Sequence, residues 1–233
     1  MHGSEGGASG NRTFLPLYYL CQIDFLHIRR NPLNHAKARF VDSEVESDWS
    51  SKEYDQDELI KIERILATGL VQAGSRVVEP GCGTGRLTLI IAERIGPNGL
   101  VVANDISPKM VEEAGKRLRG SSNVRLTWGT IEDAKLEHAS FDAVICHNVF
   151  PHFDDKAKAV SRLRSALKPS GVFVVSHFMN SAGINDLHRK TNPAVAQDNL
   201  PTSDEMRKMF KSAGMNVEFV HDDENGYLLK AIA

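Results

Sequence analysis

The chain has 233 residues, 41% hydrophobic and 25% charged, enough to bury one sizeable core and too apolar for a disordered or fibrous protein. Lys plus Arg number 28 against 30 Asp plus Glu, so a formal charge of −2 leaves no surplus to hold a polyphosphate, and no nucleic-acid partner is expected. Cys21, Cys82 and Cys146 stand far apart without CxxC spacing, which speaks against a disulfide framework or a zinc cage and suits the reducing cytoplasm.

Residues 1–13 are Gly/Ser-rich and flexible by composition. The apolar run 14–28 contains Asp24 and is followed by Arg29 and Arg30. At about 15 residues it is too short to span a bilayer, and it lacks the basic start of a signal peptide. It reads as an appended helix, or as sequence outside the main domain, with no membrane association. Charged, helical-looking pieces without a clear strand continue to residue 50, so 1–50 is expected to be an extension, flexible and then a helical cap, before a domain over 51–233. Trp49 and Tyr54 read as anchors of a surface helix, with a part in that cap as the alternative. From Gln56, Leu59, Ile60, Ile62, Ile65 and Leu66 recur at helical spacing, and Gly69 and Gly74 bracket the exit.

Five short, β-branched runs follow at 76–79, 100–105, 124–128, 141–147 and 172–177, with segments of helical length at 87–95, 108–118 and 156–167 between them. Alternating strand and helix predicts an α/β, doubly wound, mostly parallel sheet with right-handed crossovers and helices on both faces. The segment 178–200 is long and polar and reads as a surface loop, at a position where functional insertions often lie. A helix over 202–213 stops at Gly214, and strands at 216–221 and 227–232 close the chain as a hairpin.

The first strand runs into Glu79-Pro80-Gly81-Cys82-Gly83-Thr84-Gly85. In an open α/β sheet this strand-to-helix turn is the usual ligand anchor, and its glycines let a ligand lie on the backbone. A phosphate-binding dinucleotide loop reads GxGxxG, whereas this one reads GxGxG with an acid two residues before the first glycine. A carboxylate at Glu79 repels a pyrophosphate but favours the ammonium of an amino acid. Twenty residues beyond Gly85, Asp105 ends the second strand, where a carboxylate accepts hydrogen bonds from ribose hydroxyls. An amino acid joined to a ribose points to S-adenosylmethionine.

Four stretches carry a family likeness over residues 52–233: Val-Val-Glu-Pro-Gly-Cys-Gly-Thr-Gly, Asn-Asp-Ile-Ser-Pro-Lys-Met, Ser-Phe-Asp-Ala-Val-Ile-Cys-His-Asn-Val-Phe-Pro-His-Phe and Leu-Lys-Pro-Ser-Gly-Val-Phe-Val-Val-Ser. In these the chain resembles the class I (Rossmann-like) S-adenosylmethionine-dependent methyltransferases of the type 11, small-molecule kind. The resemblance implies a seven-stranded sheet in the order 3-2-1-4-5-7-6 with the last strand antiparallel. It also implies Glu79 and Gly81 near the methionine portion, Cys82, Gly83 and Gly85 in the donor loop, Asp105 on the ribose and Ile106 against adenine, with His147 bordering the cofactor. Where such families show Gly-Asp-Ala-Glu-Asp, this chain has Gly129-Thr130-Ile131-Glu132-Asp133. Either Thr130 or Glu132 is left to accept from the adenine amine, with the Ile131 backbone serving N1.

Methyl transfer from a sulfonium is an in-line displacement, so positioning suffices unless the acceptor arrives protonated. For that case the candidate bases are His177, then His147, then His152, strand ends being better fixed than loops. Asn185 and His188 in 178–200 are candidate acceptor-binding residues. No HxH or HxxxH pair fixes a metal, so none is expected. Cys146 reads as a buried strand residue rather than a nucleophile. The fourth strand ends in Cys-His-Asn-Val instead of an Asn/Asp-Pro-Pro-aromatic signature, and the chain has no Pro-Cys, which leaves a small molecule as the expected acceptor. Two other functions are weighed: a non-catalytic S-adenosylmethionine-binding module, and a nucleotide-cofactor oxidoreductase, for which the GxGxxG turn is missing. The polar rim favours catalysis.

Overall fold

The computed structural model describes residues 22–25 and 32–233. In chain order its elements are β1 (Gln22–Phe25), α1 (Pro32–Ser43), α2 (Asp48–Ser51), α3 (Gln56–Thr68), β2 (Arg76–Pro80), α4 (Arg86–Ile95), β3 (Leu100–Asp105), α5 (Pro108–Arg117), β4 (Val124–Trp128), β5 (Phe141–His147), α6 (Lys156–Ala166), β6 (Leu167–His177), α7 (Ser181–Thr191), α8 (Ser203–Ser212), β7 (Asn216–Asp223) and β8 (Gly226–Ile232). All eight strands form one sheet in the order β1-β4-β3-β2-β5-β6-β8-β7. From β4 to β7 this is the expected seven-stranded order, with β8 antiparallel to both its neighbours.

Two sequence expectations are corrected. Residues 22–25, inside the run expected to be helical, form an eighth strand that pairs in parallel with β4 from Gln22↔Arg125 to Phe25↔Trp128. Ile23 and Phe25 alternate with Gln22 and Asp24, the period of a strand rather than of a helix. The rest of that apolar run and the expected flexible start lie outside the described residues. The second correction is in 178–200, where the expected loop contains α7. Its start is capped by Asn180, whose side chain accepts from Gly183 N at 2.9 Å, and Ile184 on its inner face is buried.

Strands this apolar need cover on both faces, and the sheet has it. On one face α6 and α8 pack Leu163, Met206 and Phe210 against Val144, Phe173 and Leu229. On the other, α3, α4 and α5 pack Ile62, Leu66, Ile91 and Val111 against Val77, Val101 and Ile145. Because β2 pairs with β3 on one side and β5 on the other, chain order reverses beside β2. The ends Pro80, Asp105, His147 and His177 therefore gather at one edge, over the crevice where such sheets bind ligands. No helix among the described residues is long and apolar enough to cross a membrane.

Phe210 is fully buried, 5.0 Å from the Phe173 ring and 6.3 Å from the Phe150 ring. Phe210→Ala is expected to cost about 3–5 kcal/mol in urea unfolding, the range for emptying an aromatic core site, and a loss below ~1 kcal/mol would contradict this packing.

Candidate functional site

The turn after β2 is held open from beneath. Gly81, Gly83 and Gly85 have φ of +68°, +53° and +80°, and a Cβ on Gly81 would lie 2.2 Å from Val149 Cγ2. Only glycine meets both demands at position 81. Cys82 N donates to Asn104 O at 2.9 Å, and Gly83 N donates to Asp105 Oδ2 at 2.9 Å, so the turn is tied to the end of β3. Asp105 Oδ1 accepts from Ser107 N at 2.9 Å. Burial pushes the Asp105 carboxyl up, and these two N–H groups oppose it.

The extension closes the turn from outside. The Thr84 hydroxyl donates to Ser50 O, and Arg86 donates to Trp49 O while its guanidinium stacks 3.8 Å above the Tyr54 ring. Ser107 Oγ donates to Asp42 of α1 at 2.5 Å. Arg86 thus joins the turn to Trp49 and Tyr54, and Trp49 also lines the cleft.

That cleft has a volume of about 530 Å³. Its donor half is walled by Gly81, Gly83, Asp105, Ile106, Thr130, Ile131 and Glu132, so the turn and the segment after β4 come together as expected. Cys82 and Gly85 shape the turn without lining the cleft. The Glu132 carboxylate accepts from Asp155 N at 3.3 Å, and burial pushes it up. Thr130 Oγ1 lies 3.5 Å from Asp133 Oδ2. Asn104, which the sequence reading passed over, also lines the cleft; its Nδ2 donates to Gly129 O at 2.7 Å and its Oδ1 is buried without a partner.

Glu79 is 3% exposed, and its Oε2 has no hydrogen-bond partner. Burial pushes its carboxyl up to about 8, with the Asp105 charge adding to the effect and Thr88 opposing it. A buried, unsatisfied carboxylate at the end of β2 is costly unless a cation reaches it.

At the other end of the cleft the candidate histidines separate. His147 does not line it: Asn148 Nδ2 donates to its Nε2 at 3.1 Å, which places the proton on Nδ1, 3.0 Å from Ser176 Oγ. Burial, then the Arg86 charge, pushes His147 down to about 3. His177 lines the cleft at 7% exposure with Nε2 unpartnered, and burial, reinforced by His147, His152 and His188, keeps it neutral. His152 and His188 line the cleft with ring centroids 4.6 Å apart. Asn185 does not; it pins the chain after α7, donating to Leu200 O at 3.1 Å and accepting from Leu200 N at 2.8 Å.

Three charged residues that the sequence did not single out join this cluster. His152 Nδ1 is 2.8 Å from Asp198 Oδ2, and His188 Nδ1 donates to Asp198 O at 2.6 Å. Lys37 of α1 reaches Asp198 Oδ1 and Asp154 Oδ1, each at 2.8 Å, and donates to His152 O at 3.1 Å. Burial opposes the Lys37 charge but is outweighed by its hydrogen bonds to Asp154 and Asp198, so its pKa is raised. Among the described residues no group of three or more His, Cys, Asp or Glu is disposed to hold a metal.

Compared with known proteins, residues 72–214 match the family described as Methyltransferase domain. The chain belongs to this methyltransferase family. It is 34% identical over 119 residues, half of its length, to the tRNA (adenine(58)-N(1))-methyltransferase of Thermus thermophilus, and spans 44% of that protein. It is 30% identical over 154 residues, 60% of its length, to the malonyl-[acyl-carrier protein] O-methyltransferase of Halalkalibacterium halodurans, and spans 56% of that protein. The crystal structure of a SAM dependent methyltransferase from Aquifex aeolicus superposes with a TM-score of 0.61 at 18% identity, covering 77% of this chain and 99% of that one, a likeness of fold.

The methyltransferase family implies S-adenosylmethionine, and the residues present fit it. The orphaned Glu79 Oε2 suits the ammonium, while Asp105, with a lone pair left on each oxygen, suits the ribose hydroxyls. Ile106 offers an apolar wall for adenine, and the glycine turn leaves room for the methionine chain.

Because the Glu79 carboxyl in the folded chain titrates near 8, above the ordinary carboxylate value, it favours folding at low pH. That contribution is lost as pH rises from the ordinary value toward 8. An ammonium beside Glu79 reverses the preference, so calorimetry of S-adenosylhomocysteine binding at pH 7 in buffers of different ionisation enthalpy is expected to show release of about one proton. Glu79→Gln should abolish the release; equal release by the variant would contradict the pairing.

Proposed function

We propose that this methyltransferase domain passes the methyl group of S-adenosylmethionine to a small molecule, leaving S-adenosylhomocysteine. The observation that carries the reading is the largely apolar lining of the cleft beyond the glycine turn. Phe40, Phe153, Phe178, Ile184, Leu187 and Val195 line it, and α1 and α7 bring two of its walls over the sheet edge. A concave, largely apolar wall can hold an acceptor in line with the sulfonium, where orientation supplies much of the rate. In this reading the helical part of the 1–50 extension, α1 and α2, caps the domain over 51–233, which operates in the cytoplasm.

The relative that acts on tRNA raises an RNA acceptor as a second reading. Among the described residues Lys37 is the only Lys or Arg lining the cleft, and it is already paired with Asp154 and Asp198. A phosphodiester entering here meets no unpaired cation, and base recognition usually needs a stacking platform beside a basic groove. The small-molecule reading is therefore preferred to the RNA one. It is also preferred to a binding-only module, because the inner end of the chamber carries His152, His177 and His188 rather than an inert wall.

The test is incubation with methyl-labelled S-adenosylmethionine and two acceptor pools, small-molecule extract and total RNA. Label is expected in the small-molecule fraction. Label confined to RNA, or none in either pool with the donor bound, would contradict the proposal.

A further inference from the structure

Which proton leaves the acceptor is settled by charge around the three histidines. Resting on the small-molecule reading above, we propose that the acceptor is a neutral, largely apolar molecule carrying an acidic hydroxyl, a phenol or an enol. His152 takes the hydroxyl proton at Nε2 while Asp198 holds its ring from behind.

His152 differs from the other histidines in having a carboxylate at its back. With Asp198 Oδ2 2.8 Å from Nδ1, the ring carries its proton on Nδ1 and presents Nε2 as an acceptor. Among the described residues nothing partners Nε2, and His152 lines the cleft. His177, buried beside three other histidines with no carboxylate against it, has nothing to balance an imidazolium and stays neutral. It can orient a hydroxyl but not carry its proton. His188 spends Nδ1–H on the Asp198 carbonyl, and burial lowers its pKa. Around His152 the charged and titratable groups are Asp198, Asp154, Lys37, His177, His188 and Asp105.

The same groups decide the head group of the acceptor. Asp198 uses one carboxylate oxygen on His152 and the other on Lys37, and Lys37 is shared with Asp154, so no cation is free for a carboxylate or phosphate. The walls offer aromatic and aliphatic side chains to the remainder of the molecule. In the transfer, the acceptor O–H bond breaks and its proton goes to His152 Nε2. The oxygen forms a bond to the methyl carbon as that carbon's bond to sulfur breaks, the electron pair staying on sulfur as a thioether. The Asp198 carboxylate balances the imidazolium, and the proton is released to solvent after the product leaves.

The test uses the whole chain loaded with S-adenosylhomocysteine and 4-nitrophenol as probe, read by its phenolate absorbance. Saturable binding that raises the phenolate fraction is expected, with benzylamine and phenyl phosphate displacing the probe far less well than phenol. His152→Gln should reduce the bound phenolate fraction about tenfold or more while leaving S-adenosylhomocysteine affinity unchanged. Asp198→Asn should do the same. Absence of a phenolate signal in the wild type, better displacement by the amine or the phosphate, or an undiminished signal in His152→Gln would overturn the proposal. An undiminished signal in Asp198→Asn would overturn the positioning role. Failure to bind S-adenosylhomocysteine would instead sink the underlying methyl-transfer reading, and this proposal with it.

Discussion

A carboxylate buried at the end of a central strand must find hydrogen bonds or lose its charge, and Asp105 finds them in the backbone of two different loops. Gly83 N comes from the turn after β2, and Ser107 N from the turn after β3, each at 2.9 Å. Ser107 in turn caps α5 by accepting from Met110 N at 3.0 Å. One side chain thus sets the spacing of the two turns that face the donor half of the cleft. The positive φ angles at positions 81, 83 and 85 let the glycine turn follow that spacing without strain. Asp105 therefore builds the pocket before it touches any ligand.

Helix α1 connects this donor half to the acceptor half. Asp42 accepts from the Ser107 hydroxyl on the donor side, and Lys37 lies against Asp154 and Asp198 on the acceptor side. The helix thus spans both ends of the cleft. Lys37 is buried, so leaving it unpaired would be expensive, and it finds its two carboxylates only when α1 is seated. Seating α1 also engages Asp198 at its second oxygen, beside His152. The same helix therefore touches the turn after β3 and the carboxylate behind His152.

The sheet was legible because its signal is local: short β-branched runs separated by helical segments specify parallel strands wherever they fold. The donor loop was legible for the same reason, since Glu79 to Gly85 and Asp105 lie at strand ends that topology alone brings together. The acceptor side was not. Lys37 and Asp154 are 117 residues apart, and His152 and Asp198 are 46 apart, with no periodicity or spacing to link them. His147 and His177 looked equivalent as strand ends, yet one is hydrogen-bonded at both nitrogens and the other faces the cleft with Nε2 free. Four-residue β1 was missed because its alternation is too short to stand out inside the longer run 14–28, and its pairing with β4 decides the matter.

The donor is expected to lie with its amino acid toward Glu79 and its ribose toward Asp105. A crystal structure of the chain with S-adenosylhomocysteine measures this directly. The ligand amino group is expected within hydrogen-bond distance of Glu79 Oε2, with the ribose hydroxyls on Asp105 and the sulfur turned toward the chamber of His152 and His177. A ligand bound in the reverse direction, with adenine over Glu79, or one held outside the glycine turn, would contradict it.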